Sequence, residues 1–359
     1  MSVLSTANLK AHMNRPSTPE GKPITLWRPS DRFFHCCIES RGCRYSRDVG
    51  ACVMCDYGIG RNLTPGELSA ALASTLDPWA GKLDTLLLGS YGSVFDPSEI
   101  SEECFDALLR FLKDYPVPTV IFETHCATVT PEKLAHIREY LPEGRRVTVE
   151  MGYESCDPFV LESCLGKVLS LSRLESAIQI IHDAKMSVCL NVFLGAPFLS
   201  PADQLESTRI SVLWALERGA DSLVLFPANI KPFTLLHKLY EAGHYAPLSQ
   251  WMVPALFRQL PAEALERITL SWYGDRKNFY ENDAFPLIPP QDCPECHNAV
   301  FAFYQDFLQA RTGQERHEAV QRLWEQSLAC SCREEVVRSL EKSAPRYTKE
   351  QISTVVKNL

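Results

Sequence analysis

The chain is predicted to fold as an α/β protein: a partial (β/α)6 TIM-like barrel followed by a small helical, cysteine-rich C-terminal extension. Three observations point there. From about residue 30 to residue 245, short apolar runs alternate with amphipathic stretches, the rhythm of strand–helix units on a parallel sheet. The amphipathic stretches open on residues that cap helices. Six such units fit, whereas a closed barrel needs eight, and the chain beyond Ala246 offers no obvious further pair.

Strands are expected at 32–39, 85–89, 119–124, 146–152, 187–194 and 222–227. Helix starts are signalled by Thr64-Pro65-Gly66-Glu67, by Ser98 and Ser101 ahead of Glu102-Glu103, by Thr130-Pro131-Glu132, by Ser172 and by Ser200-Pro201. In each, a short hydroxyl side chain can accept from the N–H groups that a first helical turn leaves unpaired. Residues 248–270 read as helical. Residues 271–290, rich in aromatics, Asp, Asn and Pro and without periodicity, read as a loop over the barrel mouth or a linker. Helices are expected at 298–311 and 314–327, then a charged helical tail. The chain divides into an N-terminal lead (1–30), the barrel (31–250), a helical linker and loop (251–290) and the cysteine-rich helical region (291–359).

A chain of 359 residues, 45% hydrophobic and 22% charged, can bury a sizeable core, which excludes disordered and miniprotein classes. Lys and Arg number 36 against 44 Asp and Glu. The resulting charge of −8 gives no general footprint for nucleic acid. The chain has no apolar run of about 18 residues, and its first twenty residues lack the apolar segment of a secretory signal. A cytoplasmic protein with no membrane partner is expected.

Fourteen cysteines are many for such a chain, and most of the chemistry lies in two groups. Cys43, Cys52 and Cys55 form Cys-x8-Cys-x2-Cys directly after the first expected strand. Three thiolates suit a 4Fe-4S cluster with one iron left open; with a His or a water they make an equally acceptable zinc tetrahedron. A loop following a barrel strand lies at the C-terminal mouth, where barrel active sites are built. Cys36 and Cys37 fall within the strand and read as core residues or as neighbours of the ligands, rather than as ligands themselves. Near the other end, Cys293-Pro294-Glu295-Cys296 and Cys330-Ser331-Cys332 supply four thiolates. Structural zinc is the first reading and an auxiliary iron-sulfur cluster the second. Cys104, Cys126, Cys156, Cys164 and Cys189 are scattered and read as small buried hydrophobes.

The later strand ends add polar groups. Gly92 and Ser93, after the second strand, are small enough to let backbone approach a ligand. Glu123, Glu150 and Glu154, on the third and fourth strands, can accept hydrogen bonds from a diol or an ammonium group. Asn191 opens the apolar stretch 191–198. Asn229, Lys231 and Thr234, after the sixth strand, are candidate substrate contacts, and His125 reads as a polar residue at the mouth.

A three-cysteine loop after the first strand of a partial barrel resembles the radical S-adenosylmethionine (SAM) superfamily. The last Cys-x2-Cys, with Met54 before Cys55, matches; the first spacer of eight departs from the commonest three. The resemblance implies a 4Fe-4S cluster on Cys43, Cys52 and Cys55, and SAM held near Gly92, Ser93, Glu123, Glu154 and Asn191, with the apolar stretch 191–198 against adenine. It further implies reductive cleavage of SAM to methionine and a 5′-deoxyadenosyl radical, fed by a one-electron donor such as flavodoxin or ferredoxin.

Taken with Gly92-Ser93-Val94-Phe95-Asp96, Ala196-Pro197-Phe198-Leu199 and Phe226-Pro227-Ala228-Asn229-Ile230-Lys231-Pro232, the pattern over roughly residues 25–340 is similar to the radical SAM subunit of archaeosine synthase. More distantly it is similar to the radical SAM domain of the elongator acetyltransferase. The closer family cleaves a carbon–nitrogen bond in a lysine adduct of a deazaguanine base in tRNA. The mixed charges of 273–283 and the net charge favour instead a small amine, nucleoside or natural-product precursor. A partner enzyme that prepares the substrate is a further arrangement. The competing class is a non-catalytic zinc-binding scaffold in which both cysteine groups are structural.

Overall fold

The computed structural model describes residues 4, 7, 22–57, 60–141, 144–271, 287–342 and 345–359. The chain runs β1 (Ile24–Trp27), β2 (Phe33–Ile38), α1 (Arg44–Asp48), α2 (Pro65–Leu76), β3 (Thr85–Ser90), α3 (Glu102–Asp114), β4 (Thr119–Thr124) and α4 (Pro131–Tyr140). It continues through β5 (Arg146–Glu154), α5 (Leu171–Asp183), β6 (Ser187–Leu194), α6 (Pro201–Glu217), β7 (Ser222–Pro227), α7 (Leu235–Glu241), α8 (Met252–Phe257), α9 (Ala262–Glu266) and β8 (Ile268–Leu270). The extension consists of α10 (Pro294–Gln309), α11 (Gly313–Glu325), α12 (Cys332–Leu340) and α13 (Lys349–Lys357).

Among the described residues the strands form one eight-stranded sheet in chain order. β1 is antiparallel to β2, and every later neighbour is parallel. The six expected strands are β2 to β7, so the partial barrel stands, with two additions. β1 lies in the stretch read as an N-terminal lead. β8 lies in a stretch read as helical throughout, which instead holds α8, α9 and a strand of three residues. Three residues are too few to impose a period-two pattern. The loop reading of 271–290 falls largely on residues 272–286, outside the described residues, as does the mixed-charge stretch 273–283.

Helix starts follow the cap signals. Thr64 and Glu67 form a reciprocal capping box. Ser101, Thr130 and Ser200 accept from the N–H groups of Cys104, Lys133 and Asp203. The cap of α5 is Ser170 rather than Ser172, because its hydroxyl accepts from Arg173 N–H while Ser172 already sits in the first turn.

Alternation along the strands sorts side chains into two layers. Leu86 and Leu88, Val120 and Phe122, Val147 and Val149, Val188 and Leu190, and Leu223 and Leu225 join the helices in the main core. The other face is the barrel interior. There register sets Glu123 beside Glu150 and Glu150 beside Cys189, with Gly152 beside Asn191 in the next layer up. Among the described residues no helix is long and apolar enough to cross a membrane.

Candidate active site

At the C-terminal ends of the strands lies a cavity of about 560 Å³. It gathers Cys43, Cys52 and Cys55 from the loop after β2, Gly92 and Ser93 from the loop after β3, Glu123, Glu154 and Asn191 from β4 to β6, and Asn229 and Lys231 from beyond β7. Thr234 is not brought to it. Its hydroxyl accepts from His237 N–H and donates to the Lys231 carbonyl, so it caps α7. Glu150 is buried beneath the cavity floor, where the Asn191 side chain hydrogen-bonds to it.

The cysteine loop is clamped by main-chain bonds. Val53 N–H donates to the Leu165 carbonyl (2.8 Å), and Leu236 N–H donates to the Val53 carbonyl (3.1 Å). Tyr45 Oη donates to the Gly166 carbonyl (2.5 Å), and Lys231 Nζ donates to Asp56 (2.8 Å), the residue after Cys55. The loop is thereby held from the β5 side and the β7 side. Burial pushes the Cys43 thiol up and the Cys52 thiol up to about 12. It also raises Cys55, as do the neighbouring Cys52 and Asp56. A cationic centre binding all three would offset that cost.

Two charged residues at the cavity carried no motif in the sequence. Glu99 is buried, and its carboxylate accepts from Arg44 N–H (2.7 Å) and Ser93 N–H (2.5 Å), tying the residue after Cys43 to the loop after β3. Lys167 Nζ lies 3.0 Å from the Glu154 carboxylate, each side chain only 12% exposed. Glu154 has φ of 70°, a left-handed conformation costly for a side chain with a Cβ, where the register of β5 on β6 shifts. The shift ends the regular ladder and turns this carboxylate into the cavity.

The other groups are held locally. The Ser93 hydroxyl hydrogen-bonds with Thr124 (2.5 Å) and Thr128 (3.2 Å) and accepts from His125 N–H (3.3 Å). Burial and the nearby Lys167 and Arg44 lower His125 to about 4, so it is neutral at pH 7. A Cβ at Gly92 would run into the Glu99 carboxylate and come within 2.9 Å of Cys43 Cα. Gly92→Ala is therefore expected to push the cysteine loop outward and to lower about tenfold whatever iron the three thiols take up on reconstitution. Iron per chain checks it, and a wild-type value would show that the loop absorbs the methyl group.

Burial raises Glu99 to about 7 and also raises Glu123 and Glu150, which lie side by side on β4 and β5. The folded apoprotein keeps these protons to higher pH than the unfolded chain, so their contribution to stability is lost as pH rises through the folded values. His125 works the other way, adding stability as pH rises towards its unfolded value near 6.5 and nothing above it. The melting temperature of the metal-free protein is expected to fall between pH 6.5 and 8. A flat melting temperature over that interval in calorimetry would show the carboxyls already ionised in the fold.

No family model matches the chain. Its sequence is 24% identical over 221 residues to archaeosine synthase subunit beta of Thermococcus kodakarensis, covering 58% of this chain and 66% of that protein. The chain is distantly similar to archaeosine synthase subunit beta. It spans just under two thirds of that subunit's length, and the resemblance expected from the cysteine loop and strand-end motifs is borne out. Similar solved structures include the archaeal Elp3 of Methanocaldococcus infernus, 14% identical over 67% of this chain and 58% of that one, with a TM-score of 0.46. Methylornithine synthase is 16% identical over 88% and 90%, with a TM-score of 0.48. The radical SAM methyltransferase TsrM of Kitasatospora setae, with cobalamin and a [4Fe-4S] cluster bound, is 12% identical over 82% and 61%, with a TM-score of 0.47.

Proposed function

We propose that the chain is a radical SAM enzyme acting on a small amine, nucleoside or natural-product precursor within the cavity at the strand ends. The observation that carries this is the convergence of three thiols, the bare backbone at Gly92 and the strand-end carboxylates Glu123 and Glu154 on one space of about 560 Å³. The donor set fits the cofactors. Three thiolates leave one iron of a 4Fe-4S cluster without a protein ligand. Asn191 Oδ1 is buried in the cavity wall with no hydrogen-bond partner among the described residues, an acceptor suited to an amino or hydroxyl donor.

When bound, a reduced 4Fe-4S cluster would supply one electron for reductive cleavage of SAM, giving the site the means to take hydrogen from an unactivated carbon. The protein's part is to hold and shield. Cys43, Cys52 and Cys55 hold the cluster on a loop fixed from both sides. Glu123 and Glu154 accept from a ribose diol or an ammonium group, with Lys167 Nζ paired to Glu154 at 3.0 Å. Phe193 and Phe226 give the cavity apolar walls that exclude water from the reacting carbon. Asn229 and Lys231 stand on the β7 side to meet substrate, Lys231 through a flexible ammonium already paired with Asp56. A flavodoxin or ferredoxin would deliver the electron.

The sequence match to archaeosine synthase subunit beta favours a second reading, a carbon–nitrogen lyase on a lysine-adducted deazaguanine in tRNA, with a partner preparing the substrate. Against it stands the net charge of −8, which gives no broad phosphate-binding face. The test is anaerobic: reconstitute with iron and sulfide, add SAM and a strong one-electron reductant, and measure 5′-deoxyadenosine by mass spectrometry. Formation of the nucleoside is expected, stimulated by small amines or nucleosides more than by tRNA. A colourless protein with zinc in the Cys43 loop and no SAM cleavage would overturn the reading in favour of a scaffold.

A further inference from the structure

We infer that Cys293, Cys296, Cys330 and Cys332 form a mononuclear site for one zinc ion, and that this ion fastens the C-terminal extension to the barrel. The inference does not depend on the chemistry proposed for the cavity, since none of the four lines it.

Sulfur spacing decides between the two readings that four thiolates leave open. The four Sγ atoms all lie within 4.8 Å of one another, and Cys296 and Cys330 are 3.1 Å apart. One tetrahedral ion with metal–sulfur bonds of about 2.3 Å sets its sulfurs about 3.8 Å apart. A 4Fe-4S cube binds each thiolate to a different iron at a different corner, and so demands a wider ring of sulfurs. The observed group is compact enough for one ion. Four protein ligands leave no open position, the mark of a structural site, and soft thiolates in a tetrahedron select zinc.

Local structure explains how two pairs 34 residues apart meet. Cys293 is the N-cap of α10 and Cys296 lies in its first turn, while Cys330 and Cys332 flank the start of α12. Two helix N-termini thus converge on the thiolates, and their N–H groups favour the net negative charge of a four-thiolate zinc complex.

The surroundings tie this corner to the barrel. Trp251, fully buried at the start of α8, donates from Nε1 to Cys296 Sγ at 3.0 Å. The Arg333 guanidinium lies over the Trp251 ring at 5.6 Å and donates to the carbonyls of Trp324 (2.6 Å) and Gln326 (2.9 Å). Asp292, just before the first cysteine, accepts from Ser249 Oγ (3.0 Å) and Gln250 N–H (2.7 Å). Three segments, 249–251, 292–296 and 330–333, therefore meet at one point. An ion there cross-links the second and third directly and holds the first through Trp251.

The test begins with the chain in which Cys43, Cys52 and Cys55 are all replaced by alanine, so that retained metal belongs to the second group. Elemental analysis and acid-labile sulfide after gel filtration are expected to give one zinc per chain and no sulfide. Adding Cys296→Ser or Cys330→Ser should cut zinc at least tenfold. Iron with matching sulfide, or no metal and four oxidised cysteines, would overturn the proposal. Should the triple variant fail to fold, zinc-edge X-ray absorption on the wild-type protein serves in its place. Four sulfurs at about 2.3 Å are expected, and three sulfurs with one lighter atom would move the zinc to the Cys43 loop and overturn the assignment. Stripping the zinc should lower the melting temperature by on the order of 5 °C or more. An unchanged value would refute the fastening role.

Discussion

Cys52→Ala is expected to bring 5′-deoxyadenosine formation down to background while the far-ultraviolet circular dichroism and melting temperature of the apoprotein stay close to wild type. In the proposed function the thiol is one of three cluster ligands, whereas the loop around it is fixed by groups the substitution leaves alone. These are the Val53 main-chain bonds to Leu165 and Leu236, and the Tyr45 hydroxyl on Gly166. The loss should exceed the roughly 10- to 100-fold that follows removal of a group that merely braces a metal ligand. Nucleoside produced at the wild-type rate would remove Cys52 from the site.

Lys167→Met is expected to cost about 3 kcal/mol of apoprotein stability, the lower end of the range for breaking a buried ion pair, because the pair faces a cavity rather than dry core. The ammonium is the neighbour that balances Glu154, whose carboxylate otherwise sits in a recess shared with three thiols and Glu123. Adding Glu154→Gln to that variant should recover most of the loss, since no uncompensated charge then remains. Urea denaturation of the four proteins in the cycle measures the coupling. A loss below about 1 kcal/mol would place the pair with exposed ion pairs.

These two residues also mark how far the sequence could be read. Cys52 lay in a spaced motif after a strand whose neighbours were plain. The expected limits 119–124, 187–194 and 222–227 coincide with β4, β6 and β7, because each is built round a short cluster of apolar and β-branched residues between polar flanks or breakers. Strand periodicity then carried Glu123 and Asn191 to the interior face and the mouth. β5 runs two residues beyond the expected Gly152, because the shifted register lets Glu154 continue the pairing.

Lys167 follows a single irregular turn at Val160–Cys164, in a connection whose shape no pattern announces. Glu99 reaches the cysteine loop only through tertiary contact. The one available signal was indirect: a carboxylate at the mouth, such as Glu154, calls for a nearby cation. Thr234 was legible in a different way. It precedes Leu235-Leu236 as Thr64 precedes its own helix, and the same cap signal would have assigned it to α7 rather than to substrate. β1 and β8 escaped because four and three residues are too short to display a period.

The order of the sheet bears on how the site comes into being. Because the strands neighbour one another in chain order, each parallel pair can form from segments close along the chain, and the barrel can grow one unit at a time. The cysteine loop belongs to the first of those units, yet its clamps come from far downstream, Leu165, Leu236 and Lys231, the last paired with Asp56 across 175 residues. During synthesis the three thiols emerge early and stand uncovered until β7 and α7 dock. Closure of the cavity is thus a late event in folding, and the interval before it is when these cysteines are open to oxidants and stray metal ions.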